Sequence, residues 1–192
     1  MQVDRRDFLR LSTGAALALT LAPGYARAAS PDFIRRFRSA PARAVTDASD
    51  GGKVEILREW SGNICAISLR NNSGRPVRLR EIVVADLEHG FAPDTPLYGE
   101  SFQMLSQTAG TISQPINLGY DELQHYKIPQ PEGVTALSGL VMFSPPRRCI
   151  ALAFTSSHRF AGRFYLSTSK LQTVLDCEGL EIAAGRPSRP RS

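Results

Sequence analysis

Asp176 and Glu178 stand two residues apart where a strand-like run, Leu171–Cys177, gives way to Glu178-Gly179. On a strand both carboxylates leave the same face, about 7 Å apart at Cα. Two carboxylates at such a separation could flank a glycosidic bond, one as acid/base and the other as nucleophile or base. The plainer reading, and the one we adopt, is a solvent-facing strand edge beside a Glu178-Gly179 turn, so no residue is given a catalytic role. His89, His125 and His158 are scattered over different turns and loops. They lack the close ligand pair of a structural zinc site, and no metal is expected. Ser157 and His158 are neighbours in the chain, which does not by itself set a hydroxyl against an imidazole in space. No G-x-G-x-x-G, Walker-A, G-x-S-x-G or H-E-x-x-H motif occurs, so no cofactor is expected.

A second set of residues points to binding. Tyr98, Phe102, Tyr120 and Tyr126 are interleaved with Glu100, Gln103, Gln107, Asn117, Asp121 and His125. A pyranose offers apolar C–H faces ringed by hydroxyls, so flat rings beside carboxylates and amides suit it. The same composition also describes a loop packed down by its own aromatics. The candidate ligand-binding residues are Tyr98, Glu100, Phe102, Gln103, His125 and Tyr126. Trp60, the only tryptophan, is expected in the core.

The chain that must position them has 192 residues, 42% hydrophobic and 21% charged, with 23 Lys+Arg against 18 Asp+Glu. That supports one ordinary domain with a real core. It excludes a (β/α)8 barrel, which needs about 250 residues. The N-terminus carries Arg5-Arg6 followed by Phe8-Leu9, an apolar run over Leu11–Ala22 and a small-x-small site at Ala26 and Ala28. This resembles a twin-arginine export signal, and the protein is expected to be periplasmic or secreted, meeting a membrane only during export. An uncleaved anchor is the alternative, but the run is short of the ~20 residues needed to span. Cleavage after Ala28 would leave 164 residues, with 19 Lys+Arg against 16 Asp+Glu, a net charge of +3.

Nucleic acid is not an expected partner. The basic clusters Arg35-Arg36-Arg38, Arg75-Arg78-Arg80 and Arg186-Arg189-Arg191 lack interleaved aromatics and read as solvated faces. Cys65, Cys149 and Cys177 form an odd set without C-x-x-C spacing. They read as small buried hydrophobes, one late-forming bridge being the alternative.

Behind the signal (1–28), a short helix over Asp32–Ser39 and a linker over Ala40–Gly52 make up 29–52. A folded domain is expected over 53–185, then a polar tail, 186–192. Cys65, Ile67 and Leu69 alternate with Ala66, Ser68 and Arg70, the period of a half-buried strand. Val77 and Leu79 alternate with arginines before Ile82-Val83-Val84 turns fully apolar, and Asn71–Gly74 between the two runs predicts a hairpin. Gly139–Phe143 with Cys149–Thr155, and Arg163–Ser167 with Leu171–Cys177, predict further strand pairs. Leu87–Ile128 reads as a long polar stretch rich in Pro and Gly, with short strands around Phe102–Leu105 and a functional surface loop. Seven or more short strands without a long amphipathic helix predict an all-β antiparallel sandwich, with an N-terminal signal helix and one short helix beside it.

Five segments bring a family into view. Leu97–Gln107, His125–Gly133, Phe143-Ser144-Pro145-Pro146, Phe154–Phe160 and Leu175-Asp176-Cys177-Glu178-Gly179-Leu180 resemble, in order, the N-terminal β-domain of α-galactosidase-like glycoside hydrolases of the melibiase clan. The likeness runs from about Lys53 to Gly185. It implies an antiparallel β-sandwich of the supersandwich kind. In that family the two catalytic aspartates lie on a (β/α)8 barrel that follows the sandwich, whereas seven residues follow Gly185 here, and neither aspartate maps onto this chain. The resemblance therefore implies an exported accessory domain, inactive alone, from a truncated or split enzyme. Its partners would be a barrel on another chain or a second copy, with a galactoside-type carbohydrate as ligand. The alternative is a free-standing exported module that binds carbohydrate or protein. Loss of a barrel predicts an exposed apolar patch.

Overall fold

Strand alternation decides which side chains face inward. Cys65 and Ile67 are buried while Ala66 and Arg70 are exposed, and Leu171, Thr173, Leu175 and Cys177 are all buried. The computed structural model describes residues 15–16, 31–47, 53–102, 106–119, 126–156 and 158–185. Of the expected signal helix, only Ala15–Ala16 falls within them, and there the chain is extended, paired with Ile64–Cys65 on one side and Ala153–Phe154 on the other. Arg5, Arg6, Phe8, Leu9, Ala26 and Ala28 lie outside the described residues, as do Gln103, His125 and the 186–192 tail.

The fold is all-β, with two antiparallel sheets sharing a core. One contains β1 (Ala15–Ala16), β3 (Val54–Ser61), β4 (Ile64–Asn71), β6 (Leu97–Glu100), β7 (Gln107–Gly110), β8 (Pro115–Leu118), β10 (Leu140–Phe143) and β11 (Ile150–Phe154). Their order across the sheet is β3-β4-β1-β11-β10-β6-β7-β8. The other contains β2 (Arg43–Thr46), β5 (Val77–Glu88), β9 (Thr135–Ser138), β12 (Ala161–Leu166) and β13 (Lys170–Ile182), in the order β2-β5-β13-β12-β9. The core joins Val141, Phe143 and Leu152 of the first sheet to Leu137, Phe164 and Leu171 of the second. The pairs β10–β11 and β12–β13 match the sequence reading. The short strands expected around Phe102–Leu105 lie on either side of that segment instead, as β6 and β7.

Four local expectations differ from the structure. First, β4 and β5 do not form a hairpin; the turn between them carries the chain from one sheet to the other. Asn71 makes that corner. Its buried amide donates to the carbonyls of Arg75 and Ile182, and its oxygen accepts from the Ser73 amide and hydroxyl, so all its polar atoms are used. Second, Glu178-Gly179 is not a turn between strands but a bulge inside β13. Pairing passes from Asp176↔Glu81 to Leu180↔Leu79, and both bulge residues take positive φ.

Third, the expected linker contains β2, paired with β5 at the edge of the five-stranded sheet. Fourth, the arginines of α1 (Pro31–Ser39) are not all a solvated face. Arg36 donates to the carbonyls of Glu88 (2.8 Å) and His89 (3.1 Å), and Arg38 donates to Gly62 and covers the Trp60 ring. A nine-residue helix is marginal alone. Here Phe33 and Phe37 are buried in the core, with Trp60 and Phe91 against them.

Candidate functional site

The sequence Leu97-Tyr98-Gly99-Glu100 alternates in the folded protein as it does in chemistry. Leu97 and Gly99 face the core, Tyr98 and Glu100 face solvent. Across the sheet, Gly99 pairs with Thr108, and Thr108 with Asn117. Thr108 is buried and its hydroxyl donates to Asn117 Oδ1 (3.0 Å), so that row lies on the inner face. The alternate row, Glu100↔Gln107↔Leu118, lies on the outer face together with Tyr98 and Ile116. Phe102, just beyond β6, meets Tyr126 with ring centroids 5.2 Å apart.

Five of the six large hydrophobic residues exposed among the described residues thus gather at the β6–β8 end: Tyr98, Phe102, Ile116, Leu118 and Tyr126, between 37% and 56% exposed. Together they form a shelf. Glu100 is exposed on the same face of β6 as Tyr98, and its Oε2 reaches over Gly139. Of the sequence-predicted ligand residues, the structure therefore brings Tyr98, Glu100, Phe102 and Tyr126 to one region. Ile116 and Leu118 were missed. Their signal was an uncharged run, Ser101–Tyr120, in a chain that is 21% charged.

A cleft of about 500 Å³ opens on the outer face of the five-stranded sheet, where β2, β5 and the β13 bulge meet Pro129. Asp47, Glu81, Asp176 and Glu178 line it with Arg78 and Arg80. Under it lies Arg163, an almost wholly buried guanidinium. It donates to Asp176 and lies 3.9 Å from Glu81 and 3.4 Å from the Tyr165 hydroxyl. Burial would lower its pKa, but the Tyr165 hydroxyl and Asp176 outweigh that and raise it.

Asp176 and Glu178 do share this cleft, yet each is engaged. Asp176 holds Arg163 and accepts the Glu178 amide (3.0 Å), and Glu178 lies 3.7 Å from Arg159. A carboxylate fixed as the counter-ion of a buried arginine is poorly placed to attack an anomeric carbon.

No family model, curated protein or solved structure matches this chain. The likeness to the melibiase clan therefore rests on its five segments alone.

His89, Cys65 and Cys177 serve the core, whereas Cys149 is half-buried and His158 exposed. His89 is buried. Its Nε2 bonds the Ser167 carbonyl (3.2 Å), its Nδ1 accepts the Phe91 amide (3.0 Å), and its ring stacks near Phe91 and Phe143. These partners assign the neutral imidazole with the proton on Nε2. Burial lowers its pKa, Arg36 adds to that, and the Ser167 bond opposes it. Cys65, Cys149 and Cys177 are free thiols. Burial raises the pKa of Cys65 and pushes Cys177 up to about 12, so both remain protonated core hydrophobes at neutral pH. Among the described residues, no group of histidines, cysteines and carboxylates could hold a metal ion.

Proposed function

We propose that this chain is an exported, non-catalytic β-sandwich module that binds carbohydrate on the shelf formed by Tyr98, Phe102 and Tyr126. One observation carries the reading: Tyr98 and Glu100 share the solvent face of β6, and the exposed Phe102–Tyr126 ring pair stands at the end of that same strand. Rings of this kind cover the apolar face of a sugar while a carboxylate accepts from its hydroxyls. Export rests on Arg5-Arg6, Phe8-Leu9 and the Ala26/Ala28 site; no helix among the described residues is long and apolar enough to cross a membrane.

The test is affinity electrophoresis of the full chain through a panel of polysaccharides, galactoside-containing ones included. Retardation by at least one of them is expected, and its loss in Phe102→Ala/Tyr126→Ala with an unchanged circular dichroism spectrum. No retardation by any of them, or equal retardation of the double variant, overturns the proposal.

A second reading is favoured by Ile116 and Leu118, aliphatic groups that a sugar does not require. Here the module is the accessory domain of a split α-galactosidase-like enzyme, and the shelf packs on a (β/α)8 barrel of another chain. On both readings the chain alone does not hydrolyse aryl α-galactosides. Turnover that survives repurification and disappears in Asp176→Ala would refute that statement.

A further inference from the structure

We propose that the cleft on the five-stranded sheet binds a small hydroxylated monocarboxylate, of the sugar-acid class, and that Arg78 takes its carboxylate. This goes beyond the carbohydrate reading and does not depend on it, since the shelf lies on the other sheet. At about 500 Å³ the cleft falls within the range of small-molecule sites. Four carboxylates line it, and three arginines already hold them. Arg163 holds Asp176 and Glu81, Arg80 holds Asp47 (3.3 Å), and Arg159 holds Glu178 (3.7 Å). Arg78 differs from these. It is an exposed residue of the lining, and among the described residues its guanidinium has neither an ion-pair nor a hydrogen-bond partner.

The fold keeps this guanidinium within reach of a ligand. Arg78 stands between the end of β2, where the Asp47 amide donates to its carbonyl (3.3 Å), and the bulge of β13. Its Nη2 lies 3.7 Å from the point where a Cβ would stand on Gly179. The φ of 74° there calls for glycine, and glycine leaves that flank of the guanidinium uncovered. The neighbours select the ligand. A planar fork of N–H donors matches a carboxylate bidentately. Asp47 and Glu178 stay exposed beside their arginines, as acceptors for hydroxyls. The same carboxylates repel a second negative charge, which turns away the dianion of a phosphate ester. Val45 and Pro129 offer apolar contact to C–H groups. Arg163, almost wholly buried beneath, pins Asp176 and Glu81, so that part of the lining is set before a ligand arrives.

Two-dimensional NMR of the full chain, titrated at matched ionic strength with D-glucuronate, D-glucose, acetate and inorganic phosphate, tests this. Glucuronate should shift the Arg78 side-chain Nε signal and the Gly179 amide in a saturable way. Glucose, which lacks the carboxylate, should leave both in place, and acetate and phosphate should bind more weakly. Arg78→Gln should weaken glucuronate by about ten-fold or more, followed at the Gly179 amide. Arg78→Lys keeps the charge without the fork and should weaken it too, and it gives the reading should the glutamine variant fail to fold. No saturable shift with glucuronate, an equal response to glucose, equal affinity for acetate or phosphate, or unchanged affinity in either variant overturns the proposal.

Discussion

Gly99 sits on the inner face of β6, directly beneath the shelf, where the two sheets touch. A methyl group at this position would lie 2.8 Å from Leu137 Cδ2, 3.0 Å from Cδ1 and 3.2 Å from Cγ. Ordinary carbon contacts lie at about 3.5–4.0 Å. Leu137 is wholly buried on β9, so it cannot swing into solvent to make room. Either its rotamer or the spacing of the sheets must give by roughly 0.7 Å or more to restore normal contact. Overpacking of this kind costs about 1–3 kcal/mol. Because Gly99 has no positive φ, alanine also narrows the unfolded ensemble and recovers about 0.4–1 kcal/mol. The expected net loss for Gly99→Ala is therefore about 1–2 kcal/mol, a fall in melting temperature of roughly 2–8 °C for a chain of this size. Urea and thermal melts would measure it. A double-mutant cycle sharpens the test: Leu137→Ala alone should cost about 2–5 kcal/mol by opening a cavity. In the double variant the new methyl occupies part of that cavity, so the combined loss should fall short of the sum. An unchanged or raised melting temperature, or strict additivity, would mean that the sheets have slack at this contact.

Three further outcomes are expected. The pKa of His89 is lowered in the fold, so its contribution is complete above the ordinary histidine value near 6.5 and is lost as pH falls through the lower folded value. Urea titrations should show stability declining below about pH 6.5 more steeply than in His89→Gln, and parallel curves would refute the assignment. Thr173 is fully buried and its Oγ1 has no partner among the described residues, so Thr173→Val should stabilise by about 1 kcal/mol in the same assay. A loss of stability there would reveal a bond to that hydroxyl. Arg163→Met leaves Asp176 and Glu81 without their shared guanidinium and should cost about 2 kcal/mol, less than a fully buried pair because both carboxylates retain some water; a neutral result would count against the network.

Patterning made the sheets legible where one face is buried. The alternation in Cys65–Arg70 and Leu171–Cys177, and the apolar run Ile82-Val83-Val84, place those residues as the fold does, because a period of two has one buried solution. What failed was connectivity. Asn71–Gly74 has the composition of a hairpin turn, but the same residues serve a corner once the Asn71 side chain is buried against Ile182, a contact 111 residues away. Glu178-Gly179 likewise reads as a turn because both residues accept positive φ, and a bulge makes the same demand. α1 and β2 looked peripheral since neither is stable alone; α1 is placed by the surfaces that receive Phe33 and Phe37, and β2 by its pairing with β5. At the shelf, the residue types of Tyr98, Phe102 and Tyr126 were informative without any fold. Ile116 and Leu118 were marked only by the uncharged run Ser101–Tyr120 around them, because an aliphatic pair has no sign of exposure in its own residue types. Arg163 was invisible for the opposite reason. An arginine in an apolar strand gives no hint that its carboxylates come from β5 and β13.

The docking of α1 also makes the helix a clasp on the end of β5. Arg36 holds the carbonyls of Glu88 and His89, and Phe33 stacks on Phe91, so the chain leaving the five-stranded sheet is fastened to the helix on both sides of His89. Opening this corner has to release helix and strand end together. In hydrogen exchange the amides of α1, His89 and Phe91 should accordingly lose protection as one unit; a helix that exchanges while His89 and Phe91 stay protected would show the two to be independent.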